Sequence, residues 1–238
     1  MQEARGTSMD EAEFDKFAEE YRSLHAANIR ASGETPEYFA EYKIRDVARL
    51  VTGTCDVLRA LDFGAGIGTS VPYFQKYFPS AELTCVDVSD KSLAIGAARF
   101  PGAARFQRFD GQHLPFPDNT FDVAYAACVF HHIDQREHLA LLREMHRVLA
   151  PGGWLVVFEH NPLNPLTVRA VNTCAFDENA RLIHATTLRA RVLASGFRGA
   201  RLRYRIFFPH ALRHLRPLEN HMTWLPLGAQ YYVAAQKG

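Results

Sequence analysis

Neither sign of charge dominates this chain: 27 lysines and arginines stand against 26 aspartates and glutamates among 238 residues. A global field that would gather nucleic acid or an anionic membrane is therefore missing, and neither partner is expected. Long apolar runs are missing too. No stretch nears the roughly 20 residues of a membrane span, and the opening MQEARGTSMDEAEFDKF is too acidic and polar for a signal or transit peptide. Cysteines are few. Cys55, Cys85, Cys128 and Cys174 lie far apart without a C-x-x-C pair, which reads as reduced thiols in a cytoplasmic protein, and no zinc site is expected from them. Repeats, linkers and low-complexity segments are also absent.

What the chain does hold is an alternation. Between about residues 50 and 160, the β-rich apolar runs VLRALDFG, AELTCVDVS, ARFQRFD, FDVAYAACVF and GGWLVVFEH are separated by segments of helical periodicity. The latter are GTSVPYFQKYF, KSLAIGAARF and QREHLALLREMHRVL, the last expected to stop at Pro151. This order predicts βαβ units and a parallel sheet with covering helices. Residues 10–50 predict two helices. NPLNPLTVRAVNTCAFDENA reads as irregular because its prolines break the pattern, and TTLRARVLASGF predicts a helix ending at Gly196. ARLRYRIFF and QYYVAAQK are two late strands.

The loop after the first strand carries Gly64-Ala65-Gly66-Ile67-Gly68, a G-x-G-x-G. A dinucleotide fingerprint would need glycine where Thr69 stands, so a pyrophosphate-binding NAD enzyme is disfavoured. The second strand ends in Val86-Asp87-Val88, roughly 20 residues beyond the last glycine, the separation at which an acid accepts hydrogen bonds from ribose hydroxyls. The third ends in Asp110-Gly111, where a carboxylate could accept from an adenine amine and a glycine leaves room for the ring. A nucleoside ligand is implied.

As a set, LDFGAGIG, VDVSDKSL, FDGQHLPFPDNTFDVAYAACVFHHI and LLREMHRVLAPGGWLVV resemble the class I S-adenosylmethionine-dependent methyltransferases of small molecules, over about residues 50–160. The resemblance implies an α/β, Rossmann-like, doubly wound, mostly parallel seven-stranded sheet, its last strand antiparallel and helices on both faces. It implies S-adenosylmethionine as cofactor, with S-adenosylhomocysteine as product. Carried over, Asp62, Gly64, Ala65, Gly66 and Gly68 would line the methionine part, and Asp87 the ribose. Val88 and Leu93 would flank the adenine, Asp110 and Gly111 would read its edge, and Ala127 and Cys128 would lie near the sulfonium. A single domain over 1–238 is expected: a helical lid at 1–50, the cofactor-binding core at 51–160, and substrate-shaping insertions with the last two strands at 161–238.

A sulfonium methyl is already electrophilic, so the protein has to align the displacement, exclude water and accept a proton from the acceptor. His131 and His132 just past the fourth strand, and Glu159 and His160 just past the fifth, are the candidate catalytic groups and should be neighbours. The leading expectation is O-methylation of a small molecule, with C-methylation or a carrier-protein-bound acceptor as alternatives. The rival of another class is a non-catalytic, cofactor-binding regulatory subunit, whose mark would be a damaged motif, and no such damage is visible. Phe14, Phe17, Tyr21 and Trp224 are expected at the substrate pocket and lid. No metal is expected: His210 and His214 lie four apart but lack a third ligand at matching spacing.

Charge is unevenly spread. Residues 181–216 hold nine arginines and no lysine or acid, whereas residues 1–46 hold eleven acids against six bases. Either the arginines attract an anionic substrate or carrier protein, or the acidic N-terminal helices fold across them, within one chain or in a homodimer.

Overall fold

The computed structural model describes residues 32–174, 177 and 179–238. In chain order these form α1 (Pro36–Val51), β1 (Arg59–Phe63), α2 (Val71–Tyr77), β2 (Glu82–Asp87), α3 (Asp90–Arg99), β3 (Arg105–Arg108) and β4 (Phe121–Ala127). Then follow a 3₁₀ turn (Phe130–His132), α4 (His138–Val148), β5 (Leu149–His160), α5 (Pro165–Asn172), α6 (Ala185–Ala194) and β6 (Arg198–Arg205). A 3₁₀ segment (His210–Leu218), α7 (Glu219–Met222) and β7 (Gln230–Gln236) complete the order. Local chemistry sets the boundaries. The Thr35 hydroxyl accepts from the Tyr38 amide at 3.3 Å, with Pro36 just inside α1, and Ser89 does the same for the Ser92 amide at 3.0 Å at the head of α3.

The seven strands form one sheet in the order β3-β2-β1-β4-β5-β7-β6. β7 runs antiparallel to both of its neighbours, and the other pairings are parallel, as expected. Strand order reverses between β1 and β4, so the crevice for a ligand lies beyond their C-terminal ends. Alternating side chains feed two cores, as a pleated sheet covered on both faces requires. Leu61, Phe63, Ala124, Leu155 and Val157 pack with Leu142 and Met145 of α4 and Leu188 and Val192 of α6. Ala60, Val123, Tyr125, Val156 and Phe158 pack with Tyr42 and Val47 of α1 and Phe74 of α2.

Two expectations are corrected. α4 ends at Val148, ahead of Pro151, because the Asn119 and Thr120 amides take the Arg147 and Val148 carbonyls at 3.0 and 2.7 Å. The proline-rich stretch after β5 is not wholly irregular: Pro165 occupies the first turn of α5, where its missing N–H costs nothing, and the Asn164 side chain caps the Leu166 and Thr167 amides. Of the segment expected as a lid, 1–50, residues 1–31 lie outside the described residues, and the rest runs into α1, which buries Phe39, Tyr42, Ile44, Val47 and Val51 against the sheet.

Candidate active site

The turn out of β1 is built on backbone. The Gly64 and Ala65 amides donate to the Val86 carbonyl at 2.8 and 3.0 Å, which ties the loop to β2. Gly64 sits at φ +72°, and a Cβ there would meet Val129 at 2.5 Å, so its bareness serves packing. Gly66, at φ +52°, is different: a Cβ would meet nothing within 4 Å, so open space faces this peptide. Gly68 turns the chain against the Phe100 and Phe106 rings. Asp87 joins loop and strand, its Oδ2 accepting from the Gly66 amide at 2.8 Å and its Oδ1 from the Ser89 amide at 3.0 Å. Below the loop, Asp62 is buried and accepts from the Ser70 hydroxyl. Burial pushes its carboxyl up to about 7, opposed by the Ser70 bond, reinforced by the Asp87 charge and opposed again by Lys43.

On the far side of β2, Val88 and Leu93 are buried and Gly111 stands at φ +84°, Val88 being 3.7 Å from where its Cβ would be. The Asp110 carboxylate accepts from the His113 and Gln112 amides at 2.6 and 2.8 Å, and these bonds hold it below the usual carboxylate range. It also lies 3.7 Å from His113 Nδ1.

Beyond β4 the chain folds onto β5. Ala127 is the last residue of β4, and the Cys128 amide continues the ladder by donating to the Phe158 carbonyl at 2.8 Å. Cys128 then takes φ +60° and launches the 3₁₀ turn. Glu159 is fully buried, its Oε1 accepting the Phe130 amide at 2.8 Å while Oε2 lies 2.6 Å from His131 Nδ1. The expected neighbours across β4 and β5 are thus in contact, and His160 stacks near, its ring centroid 5.2 Å from that of His131.

Electrostatics separates the two histidines. Burial pulls His131 down, but the charge of Glu159, the nearby Asp177 carboxylate and the bond to Glu159 outweigh it and lift His131 to about 10, so it is protonated near neutrality. His132 is lowered, by burial first and then by the positive His131 ring 4.2 Å away, so it is the neutral one.

Sequence reasoning missed Asp177, Lys43, Tyr42 and Gln230. Asp177 comes from the loop after α5 and places Oδ1 3.5 Å from His131 Nε2 and 3.4 Å from His132 Nε2. That loop is fastened where the Arg181 amide donates to the His131 carbonyl at 2.7 Å. Lys43 of α1 brings its ammonium 3.6 Å from Cys128 Sγ. The Tyr42 hydroxyl donates to Gln230 Oε1, and Gln230 Nε2 reaches Cys128 Sγ at 3.8 Å and His160 Nδ1 at 3.5 Å. Burial pushes the Cys128 thiol up, but His160 and Lys43 outweigh it and bring it down to about 7.

Trp224 is 71% exposed and donates to the His221 carbonyl of its own turn, whereas Phe14, Phe17 and Tyr21 lie outside the described residues. The uneven charge is met partly within the chain. Arg205 and Asp46 form a buried pair, Nε to Oδ2 2.6 Å, and Arg216 pairs with Glu34 while lying 4.5 Å over the Tyr38 ring. His210 also serves Glu34, at 3.1 Å.

A mixed sheet in this order, with a bare glycine turn and an acid facing its switch point, is the architecture of class I S-adenosylmethionine-dependent methyltransferases, and the chain belongs to that class. Residues 61–157 match the methyltransferase domain. Over 125 residues the chain is 36% identical to the ubiquinone/menaquinone biosynthesis C-methyltransferase UbiE of Ectopseudomonas mendocina, covering 50% of this chain and 48% of that protein. Over 173 residues it is 33% identical to the protein of the same name from Pseudomonas fluorescens, covering 68% and 65%. The chain thus spans between about half and two thirds of the length of these relatives. In fold it is similar to a Thermotoga maritima methyltransferase described as a possible histamine N-methyltransferase, with TM-score 0.66 and 19% identity over 95% of this chain and 99% of that one. Among the described residues no helix is long and apolar enough to cross a membrane.

Proposed function

We propose that this chain transfers a methyl group from S-adenosylmethionine to a small, hydroxyl-bearing acceptor, with His132 as the proton acceptor. The observation that carries the reading is the sheet-edge cluster of a charged, Glu159-held His131 beside a neutral His132. The open space before Gly66, the Asp87 carboxylate beside it and the bare Gly111 next to Val88 suit the cofactor in polarity and in the room they leave. When bound, the cofactor supplies an electrophilic methyl on a sulfonium. Gly66 with its neighbours Gly64, Ala65 and Gly68 would bound its amino-acid end, Asp87 would accept from the ribose, and Val88, Leu93, Asp110 and Gly111 would border the adenine. Lys43, a buried cation beside Asp62 and Cys128, would take the carboxylate of the amino-acid end.

The chain's own groups then govern the acceptor. His132 takes the hydroxyl proton, and the positive His131 draws the resulting oxyanion into place. Deprotonating a phenol or enol makes both its oxygen and its conjugated carbon nucleophilic, so one base serves either outcome. Transfer to oxygen is the simpler use of that base, whereas the relatives named C-methyltransferases favour carbon. The four cysteines form no disulfide, which supports a cytoplasmic setting.

The test is incubation of the purified protein with methyl-labelled S-adenosylmethionine and a cell extract, followed by fractionation. Label in a small organic-soluble product supports the reading, and acid-stable carbon-bound label separates C- from O-transfer. Label confined to a protein band points to a carrier-bound acceptor. No label with tight cofactor binding sinks the catalytic reading in favour of a regulatory subunit.

A further inference from the structure

We propose that His131, His132 and Asp177 form a binding site for a divalent transition-metal ion of the zinc or cobalt kind, with a position left open for an oxygen ligand. The three donor atoms lie within 4.8 Å of one another. Asp177 Oδ1 stands 3.5 Å from His131 Nε2 and 3.4 Å from His132 Nε2. In a tetrahedral site with bonds of about 2.0–2.1 Å, donor atoms sit about 3.4 Å apart, so the two measured edges already match that polyhedron.

A second observation points the same way. The His131 side chain is 99% buried, and its Nε2, aimed at this space, makes no hydrogen bond. A buried ring nitrogen left so is unusual, and the contact with Asp177, an ion pair at 3.5 Å, does not serve as one. A metal ion lying among the three groups would ligate it. The opposite nitrogen, Nδ1, is held 2.6 Å from Glu159 Oε2, and Glu159 is fixed in turn by the Phe130 amide at 2.8 Å. A carboxylate on the far nitrogen is the outer support that metal-bound imidazoles use to fix their orientation.

Two nitrogens and one oxygen suit zinc, cobalt or nickel better than magnesium or calcium, which prefer oxygen alone. Binding displaces the proton that His131 otherwise directs at Asp177, and three protein ligands leave room for water or an acceptor oxygen. The site lies beside the transfer centre and does not rest on the methyl-transfer reading. A loaded site would polarise an acceptor hydroxyl directly, with both imidazoles serving as ligands.

The test uses the full chain stripped with a chelator and titrated with Zn²⁺ by calorimetry and with Co²⁺ by visible absorption. Cofactor affinity measured on the same samples shows that each protein is folded, and it is independent of the ion. The expected result is one ion per chain, a tetrahedral Co²⁺ spectrum, and at least a tenfold weakening in Asp177→Asn and in His132→Ala with cofactor binding retained. Failure of the wild-type chain to bind either ion while it still binds cofactor would overturn the site and leave the methyltransferase reading standing. Equal binding by wild type and both variants would also overturn it, by placing the ion elsewhere.

Discussion

His131 Nδ1 and Glu159 Oε2 meet at 2.6 Å behind the β4–β5 edge, where both side chains are shut away from solvent. A pair so buried is strong only while both partners keep their charges. His131, raised to about 10 from an ordinary 6.5, contributes stability that is fully present below about 6.5 and is lost as pH rises toward 10. Glu159→Gln should therefore cost about 3–5 kcal/mol near pH 6. The gap to wild type should shrink as pH climbs through that window. Urea unfolding at several pH values measures it, and curves that stay parallel from pH 6 to 10 would show that His131 carries no such charge.

The two histidines should titrate apart. Histidine side-chain NMR is expected to show His131 doubly protonated at pH 8 and His132 neutral at pH 7, because His131 faces two carboxylates while its charge repels a proton from its neighbour. In Asp177→Asn the His131 value should fall, having lost one of those carboxylates. The reverse assignment would remove His132 from the role of base.

Asp87 holds the loop, its Oδ2 receiving the Gly66 amide at 2.8 Å, and because a carboxylate oxygen can accept more than one hydrogen bond it can serve the proposed ligand as well. Asp87→Asn should weaken S-adenosylmethionine binding about 10- to 100-fold, in line with the loss of a charged acceptor. Calorimetry reads this directly, and unchanged affinity would take the ribose away from this residue.

Much of this was legible in the chain because period and spacing are local properties. Short β-rich apolar runs marked β1, β2, β4 and β5, and acids or histidines at their ends marked the edge where ligands bind. Lys43 was not legible, because it sits on a helix whose apolar faces read only as packing, and its partners Asp62 and Cys128 lie in β1 and just past β4. Asp177 was hidden for the same reason: it reaches His131 through a loop 46 residues further along, and no local pattern specifies that closure. α5 was misread because proline breaks helices in their middle but starts them at their first turn.

The glycine loop separates folding from binding. Gly64→Ala forces a methyl onto Val129 at 2.5 Å in a left-handed backbone and should lower stability by about 1–3 kcal/mol. Gly66→Ala, with nothing within 4 Å, should cost only about 1 kcal/mol of backbone strain yet weaken cofactor binding at least tenfold by filling the space the ligand needs. Thermal unfolding and calorimetry on the two variants compare these effects. Full cofactor affinity in Gly66→Ala would mean that the open space lies away from the ligand.

The proposed cofactor contact of Lys43 is tied to the state of Cys128. Its ammonium lies 3.6 Å from the Cys128 sulfur, and with His160 it brings that thiol to about 7 against the pull of burial. Lys43→Met keeps the stem that packs beside Tyr42 and removes only the charge. S-adenosylmethionine should then bind about tenfold or more weakly, because a buried charge-assisted bond to its carboxylate is lost. Methylthioadenosine, which lacks the amino-acid end, should bind as before. In the ligand-free variant the pH midpoint of Cys128 alkylation should move upward from about 7, since one of the two cations holding the thiolate is gone. A thiol shift with both affinities unchanged would confine Lys43 to tuning Cys128. Equal loss for the two ligands would assign it to shaping the pocket, because only the amino-acid end carries the charge that Lys43 can recognise.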